Sequence, residues 1–231
     1  MNYQYSYIIG DLALFIVWII LFYFRKDLRR EMLAISIIFG IGGLFSEIVY
    51  MYDWWHPLTI TNTPIGIEDF IFGFTIGGIS SSIYEFVFNK RIKIKKTNRK
   101  GNKERNIRLI KSILLVTLLF VFSFFIIKLH SFYASLIALG LPLLLIWIKR
   151  KDLIRESITS GLLLSVIGLI FFIIPETINP GWVNAHWYIQ NLSGIKILNA
   201  PIEDLIWGIF AGAYIGPLYE YWQEGKLIKA K

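Results

Sequence analysis

IGIEDFIFGFTIGGISSSIYEF (65–86) and APIEDLIWGIFAGAYIGPLYEY (200–221) decide how this chain is read. Each is apolar over about the 20 residues a membrane-crossing helix needs. Each opens on adjacent carboxylates, Glu68-Asp69 and Glu203-Asp204, and closes on Tyr-Glu, at Tyr84-Glu85 and Tyr219-Glu220. The first and last glutamates are 17 residues apart in both stretches, and Gly73 falls opposite Gly208. Polar landmarks kept without a gap inside apolar segments identify an internal duplication.

The duplication extends outward from this pair. RKDLRRE (25–31) returns as RKDLIRE (150–156), each preceded by an apolar run ending in FYF or IWI. Gly-containing apolar runs follow, IIFGIGGLFSEIVY (37–50) and LLSVIGLIFFIIPETI (163–178), the first carrying Glu47 and the second Glu176. Aromatic loops come next, DWWHP (53–57) and GWVNAHWY (181–188).

Composition agrees with a membrane protein. Of 231 residues, 55% are hydrophobic and 17% charged, and mean hydropathy is +0.57; soluble domains carry about 25% charged residues. Seven apolar runs are long enough to span, at 7–24, 33–52, 65–88, 109–127, 131–148, 157–178 and 200–222. The first has no basic segment before it and spans rather than being removed as a leader. The fifth contains Pro142, which neighbouring membrane helices tolerate. With the N-terminus outside, 22 of the 24 Lys and Arg residues fall on cytoplasmic segments, the asymmetry that sets orientation. The basic stretch Lys90 to Lys111 is therefore a topological anchor against anionic lipid, and nucleic-acid binding is not expected.

The expected fold is all-α and integral to the cell membrane. Seven transmembrane helices form two parallel three-helix repeats joined by a linker helix, a 3+1+3 arrangement with a pseudo-twofold along the membrane normal. The divisions are 1–88, 89–130 and 131–231. In this arrangement the two Glu-Asp pairs lie at the outer ends of their helices and face one another. Glu85 and Glu220 lie about 25 Å further along, at ~1.5 Å per residue. There they snorkel or pair with cytoplasmic Lys and Arg.

Intramembrane acids are candidate functional groups because their ionised forms are costly in hydrocarbon. Two readings compete for Glu68, Asp69, Glu203 and Asp204. Acids in a first turn complement the helix dipole, but capping alone does not predict the same pair in both halves. Adjacent carboxyls in a desolvated site oppose each other's ionisation, which keeps a proton available for general acid catalysis. Glu47 and Glu176 either join this group or face water. Asp53, Trp54, Trp55, His56, His186, Trp187 and Tyr188 occupy the outer loops; such aromatics form interfacial belts and also stabilise cations. With no cysteine and no ligand-like histidine spacing, no metal site is expected.

These residues resemble the membrane lycopene cyclases of the heterodimeric and fused-domain type. That family carries three-helix domains whose last helix opens on Pro-x-Glu-(Glu/Asp). PIED (201–204) matches; in the first half GIED (66–69) stands in its place, with the proline displaced to Pro64. The resemblance covers both repeats and the connector. It implies a non-redox, acid-catalysed ring closure of the ψ-end of a linear carotenoid, a lipophilic polyene taken from membrane lipid. Glu68 and Glu203 would handle the proton, with Asp69 and Asp204 tuning them. No flavin or nicotinamide is implied, and the chain has no G-x-G-x-x-G after a strand.

Two other readings fit part of this pattern. SWEET sugar transporters share the 3+1+3 arrangement, but use Pro-Gln in each repeat, a dipeptide missing here, and place polar groups at the midplane, where this chain offers mainly SSS (80–82). A non-catalytic protein that kept the fold is the third.

Overall fold

The computed structural model describes residues 3–230; residues 1, 2 and 231, the last being Lys231 of the basic tail, lie outside it. The first half contains helices α1 (Ser6–Phe24), α2 (Arg29–Asp53), α3 (Ile67–Ser80) and α4 (Ile83–Val87), then strand β1 (Lys90–Lys93). A connector follows, α5 (Arg99–Val121), prolonged by a π-helical turn at Phe122–Ile126. The second half contains α6 (Ser131–Lys149), α7 (Ile154–Ile178), α8 (Trp182–His186), strands β2 (Lys196–Ile197) and β3 (Ala200–Pro201), α9 (Ile202–Ile215), α10 (Leu218–Gln223) and β4 (Lys226–Lys229).

Five helical segments are long and apolar enough to cross a membrane: Ser6–Phe24, Arg29–Asp53, Arg99–Ile126, Ser131–Lys149 and Lys151–Ile178. The bundle they build has apolar residues outside and polar ones inside. Ile16, Ile148 and Val166 are 58, 72 and 64% exposed, whereas Asp11, Ser36 and Thr75 are fully buried. Apolar surface on that scale needs a lipid partner, because soluble monomers expose only small contiguous apolar patches. The protein is a membrane protein.

The structure corrects two expectations about elements. The runs at 65–88 and 200–222 are not continuous helices. Each breaks after a 14-residue helix, α3 or α9, and restarts as a short one. In the first half the Ser81 and Ser82 hydroxyls donate to the Gly78 carbonyl at 3.2 and 2.8 Å, competing with the helical ladder. In the second, Pro217 has no N–H with which to continue it. The basic stretch is not a plain loop either. Lys90–Lys93 pairs as a strand with β4, and α5 begins at Arg99, where the Asn98 side chain accepts the Gly101 N–H. Pro142 lies inside an unbroken α6.

The two halves repeat each other contact by contact. Arg25 forms an ion pair with Asp27 and donates to the Glu85 and Lys90 carbonyls. Arg150 pairs with Asp152 and donates to the carbonyls of Glu220 and Gly225, the residues equivalent to Glu85 and Lys90. The Arg25 guanidinium holds the exposed Asp27 carboxyl below its ordinary pKa. In the antiparallel β1–β4 pair, Ile92 lies opposite its own equivalent, Leu227. At the other end Trp55 and Trp187 form an isolated antiparallel bridge. These self-paired positions mark the two ends of a local twofold. Ties across it are reciprocal: Asp53 accepts from Ser131 at the start of α6, and Asn179 donates to Ser6 at the start of α1.

Within each half, small residues let two helices touch backbone to backbone, the commonest means of close packing between membrane helices. An ideal Cβ at Gly73 would lie 2.2 Å from the Phe39 carbonyl of α2, and one at Gly43 the same distance from the Asp69 carbonyl of α3. Gly161 and Gly212 do the same between α7 and α9, at 2.4 Å from the Ile209 oxygen and 2.7 Å from that of Ser160. Gly43 thus fixes the height of the Glu68-Asp69 turn. Gly43→Ala is expected to cost about 1–3 kcal/mol through overpacking. Gly42→Ala, where nothing lies within 4 Å, should be close to neutral. Denaturation of the detergent-solubilised variants measures both, and equal stability of the pair would refute this packing assignment.

Candidate active site

The Glu-Asp turns sit at the starts of α3 and α9, at the end of the bundle away from the Lys/Arg segments. All four acids are held by local chemistry. Glu68 is fully buried and Glu203 nearly so. One oxygen of Glu68 accepts the Ile60 N–H at 2.6 Å, and one of Glu203 accepts the Ser193 N–H at 2.7 Å. Each pins the loop leading into its helix. The second oxygen, Oε2 in both, is buried without a hydrogen-bond partner.

The aspartates differ, and a single residue accounts for much of the difference. Gly66 occupies the position equivalent to Pro201. Its N–H donates to Asp69 at 2.7 Å, and the Tyr7 hydroxyl adds a second bond at 2.8 Å. Asp69 is therefore in part a cap. Pro201 has no N–H, so Asp204 is free to turn elsewhere. It accepts the indole N–H groups of Trp187 at 3.1 Å and Trp54 at 3.4 Å, one from each half. The position matching Tyr7 is Phe132, which has no hydroxyl to offer.

The surroundings are equally unequal. In the first half, Asp11 of α1 is fully buried with both oxygens unpartnered, and its strongest electrostatic neighbours are Asp69 and Glu68. Glu47 is buried beside Asp69 and Trp55. Glu176 does not join it. It lies half-buried and accepts the Gly181 and Val183 N–H groups, capping α8. The pairing of Glu47 with Glu176 is corrected by the register of α2 and α7, in which Arg29 and Asp53 match Ile154 and Ile178. In that register Glu47 matches Phe172, which packs on Trp187 at 5.4 Å.

The two Glu-Asp pairs do not face one another directly. Aromatic rings stand between the halves: Trp55 and Trp187 at 5.1 Å, Tyr7 on Trp55 at 5.0 Å, Phe72 on Phe171 at 5.1 Å, and Phe72 stacked on Trp207 at 6.1 Å. An open apolar groove of about 540 Å3 runs beside Gly66, walled by Leu44, Ile65, Ile67 and Phe70.

The other outer-loop candidates make contacts that hold the loops. Asp53 caps α6 through the Ser131 N–H at 2.9 Å. His56 donates its backbone N–H to the His186 carbonyl. The His186 ring contacts the Trp182 carbonyl and the Tyr3 ring, and burial holds its pKa below the ordinary value. The Tyr188 hydroxyl donates to the Met51 carbonyl. Tyr7 and Asp11 are the residues sequence reasoning missed. Asp11 carried a readable signal, a lone acid inside an apolar run; Tyr7 carried none.

Glu85 and Glu220 overturn another expectation. Both are fully buried, and among the described residues neither forms an ion pair with Lys or Arg.

A lycopene cyclase family model matches residues 4–87 and 130–222. The chain belongs to that family, and its two matched segments are the internal repeat. No curated protein and no solved structure matches it.

Tyr7→Phe is expected to cost about 1–3 kcal/mol, because it strips a donor from a buried carboxylate. Tyr133→Phe, on a ring 57% exposed, should cost nothing measurable. Unfolding of the two variants side by side provides the test, and indistinguishable stabilities would remove Tyr7 from the site.

Proposed function

We propose that this lycopene cyclase family member closes the ψ-end ring of a linear carotenoid without net redox change, inside a membrane crossed seven times in the 3+1+3 arrangement. The N-terminus lies outside and the Lys/Arg end is cytoplasmic. The boundaries near 1–88, 89–130 and 131–231 then delimit two repeats and a linker. The broken helices α3–α4 and α9–α10 act as the third span of each repeat. Carotenoid cyclisation is the activity the family carries in general; the assignment of steps below is ours.

The observation that carries this reading is the unequal division of donors around the acids. Asp11, Glu47, Glu68 and Asp69 crowd one side, where Asp69 has two donors but Asp11 has none and Glu68 keeps one oxygen unpartnered. Four carboxylates cannot all be charged in so little water, so this side stores the proton. Asp204 receives two indole N–H groups, which are donors only, and is held as an acceptor. The first-half cluster is the acid and Asp204 the base, with Glu68 and Glu203 setting the loops as well as facing the site through their free oxygens.

In the proposed reaction, a carboxylic O–H protonates the terminal alkene and leaves a tertiary cation. The neighbouring alkene attacks it, forming the ring carbon–carbon bond and moving the positive charge onto the ring. A C–H proton then passes to the carboxylate acceptor and the ring double bond forms, so the product is an isomer of the substrate. No oxidant, reductant or cofactor enters this balance. The rings of Trp55, Trp187, Phe72 and Phe171 offer π faces to the migrating cation and exclude water that would capture it. The apolar groove beside Gly66 gives a lipophilic polyene end a route to the first-half acids. Transport is the weaker reading: the buried hydroxyls of Thr75 and Ser80 in α3 donate to carbonyls of their own helix and are not free for a solute.

Expression in a lycopene-accumulating bacterium tests this. Cyclised carotenoid is expected from the wild-type gene. Glu68→Gln, Glu203→Gln, Asp204→Asn and Asp11→Asn should each lower its yield at least ~10²-fold, the scale of losing a general acid or base, with membrane insertion unchanged. Lycopene left unconverted beside correctly inserted wild-type protein would sink the reading, and full activity in Asp11→Asn and Asp204→Asn would sink the division into acid and base.

A further inference from the structure

Four glutamates meet at the Lys/Arg end of the bundle, outside the site described above. Glu31 opens α2, Glu85 opens α4, Glu156 opens α7 and Glu220 opens α10. They are two equivalent pairs, one member of each from either half, so the cluster sits on the local twofold. All four are at most 2% exposed. Carboxylate oxygens of Glu85, Glu156 and Glu220 lie within 4.8 Å of one another. Glu31, from a fourth helix, has these three as its strongest electrostatic neighbours.

What distinguishes this group from an ordinary acidic patch is the absence of cationic or side-chain partners from outside it. Among the described residues no Lys, Arg or hydroxyl donates to its eight carboxylate oxygens, whose nearest hydrogen-bonding groups are one another's carboxyls and the backbone N–H groups of Glu85 and Glu220. Acids in first turns usually accept backbone N–H groups, and these do not cap their helices. Two arginines stand nearby, but both are engaged: Arg25 with Asp27 and the carbonyls of Glu85 and Lys90, Arg150 with Asp152 and the carbonyls of Glu220 and Gly225. The N-termini of the two long helices α2 and α7 supply roughly half a positive charge each. That is too little for four carboxylates.

We infer that Glu85, Glu156 and Glu220, with Glu31 beside them, form a binding site for one hard divalent cation of the Mg2+, Mn2+ or Ca2+ class, the first three supplying its ligands and clamping the two repeats together. Such cations take carboxylate oxygens at about 2.0–2.6 Å, which puts oxygens on opposite sides of the ion about 4–5 Å apart. The spacing found among Glu85, Glu156 and Glu220 matches that. An all-oxygen set without sulfur or imidazole selects these ions over zinc or copper. A divalent ion neutralises two carboxylates, and the two that keep protons can donate to neighbouring oxygens. The expectation of no metal rested on cysteine and histidine alone and did not weigh four glutamates converging from two repeats.

The test uses the full chain purified in detergent, with Mn2+ as probe. Titration followed by electron paramagnetic resonance should show one Mn2+ bound per chain, displaced by excess Mg2+ or Ca2+. Chelation by EDTA should lower the melting temperature of the wild-type protein, and restored cation should raise it again. Glu85→Gln/Glu220→Gln should lose Mn2+ binding and its melting temperature should no longer respond to EDTA. If that double variant does not fold, Glu156→Gln is the substitute, with at least tenfold weaker Mn2+ binding expected. A wild-type protein that binds no stoichiometric Mn2+ and melts identically with and without EDTA overturns the proposal. So does Mn2+ binding of wild-type strength in the glutamine variants.

Discussion

The backbone bridge between Trp55 and Trp187 joins two loops far apart in sequence, and both halves are positioned by it. His56 donates to His186 and Tyr188 to Trp54 across this bridge, placing equivalent tryptophans side by side. Main-chain hydrogen bonds cannot be left open in a medium without water, so two loops that complete each other are held firmly. The bridge lifts Trp54 across to Asp204 and brings Trp55 to Glu47. At the opposite end the β1–β4 pair does the same for the Lys/Arg-rich segments, with Ile92 facing Leu227. Between these two pins, helices that would otherwise slide in lipid have one register.

Duplication explains the architecture, and departure from duplication explains the chemistry. Where the halves agree, the residues hold the scaffold: the Arg25 and Arg150 clamps, the close crossings at Gly77 and Gly212, and the loop bonds of Glu68 and Glu203. Where they differ, the acid-rich side separates from the aromatic one. Gly66 against Pro201 decides whether the following aspartate caps its helix or accepts indoles. Glu47 against Phe172 and Tyr7 against Phe132 give the first half its carboxyl and hydroxyl, and Asp11 has Leu136 as its counterpart. In the proposed reaction these four differences would turn a symmetric scaffold into a directional site, two by changing a donor and two by changing a carboxyl.

The repeat and the membrane class were legible in the sequence because they are written as local patterns: hydropathy, spacing and a duplicated motif. The helix breaks at Ser81–Ser82 and Gly216–Pro217 were less so. Hydropathy averages over such positions, while a hydroxyl competing for a carbonyl or a missing N–H acts at one residue. Glu85 and Glu220 were misread for the same reason. Counted along a straight helix they reach the interface among Lys and Arg, but the break re-aims the last turn and carries them inside. Asp11 was missed and Glu47 was left between two readings, because their meeting with Asp69 depends on how α1 and α2 pack, which no local pattern encodes.

Both ends of the twofold therefore carry buried acids under opposite conditions. At the Trp55–Trp187 end, the carboxyls are unevenly supplied with donors and lie against π faces, conditions that let a proton leave one group and return to another. At the Ile92–Leu227 end, four glutamates are symmetric and meet one another's carboxyls with no Lys or Arg paired to them among the described residues. Symmetry suits a clamp, since a ligand on the axis draws equally on both repeats and rewards their correct assembly. Asymmetry suits a reaction, since proton donor and acceptor must differ. The same duplicated helix start and helix end, Glu-Asp and Tyr-Glu, thus diverge in role according to whether the surrounding residues preserve the twofold or break it.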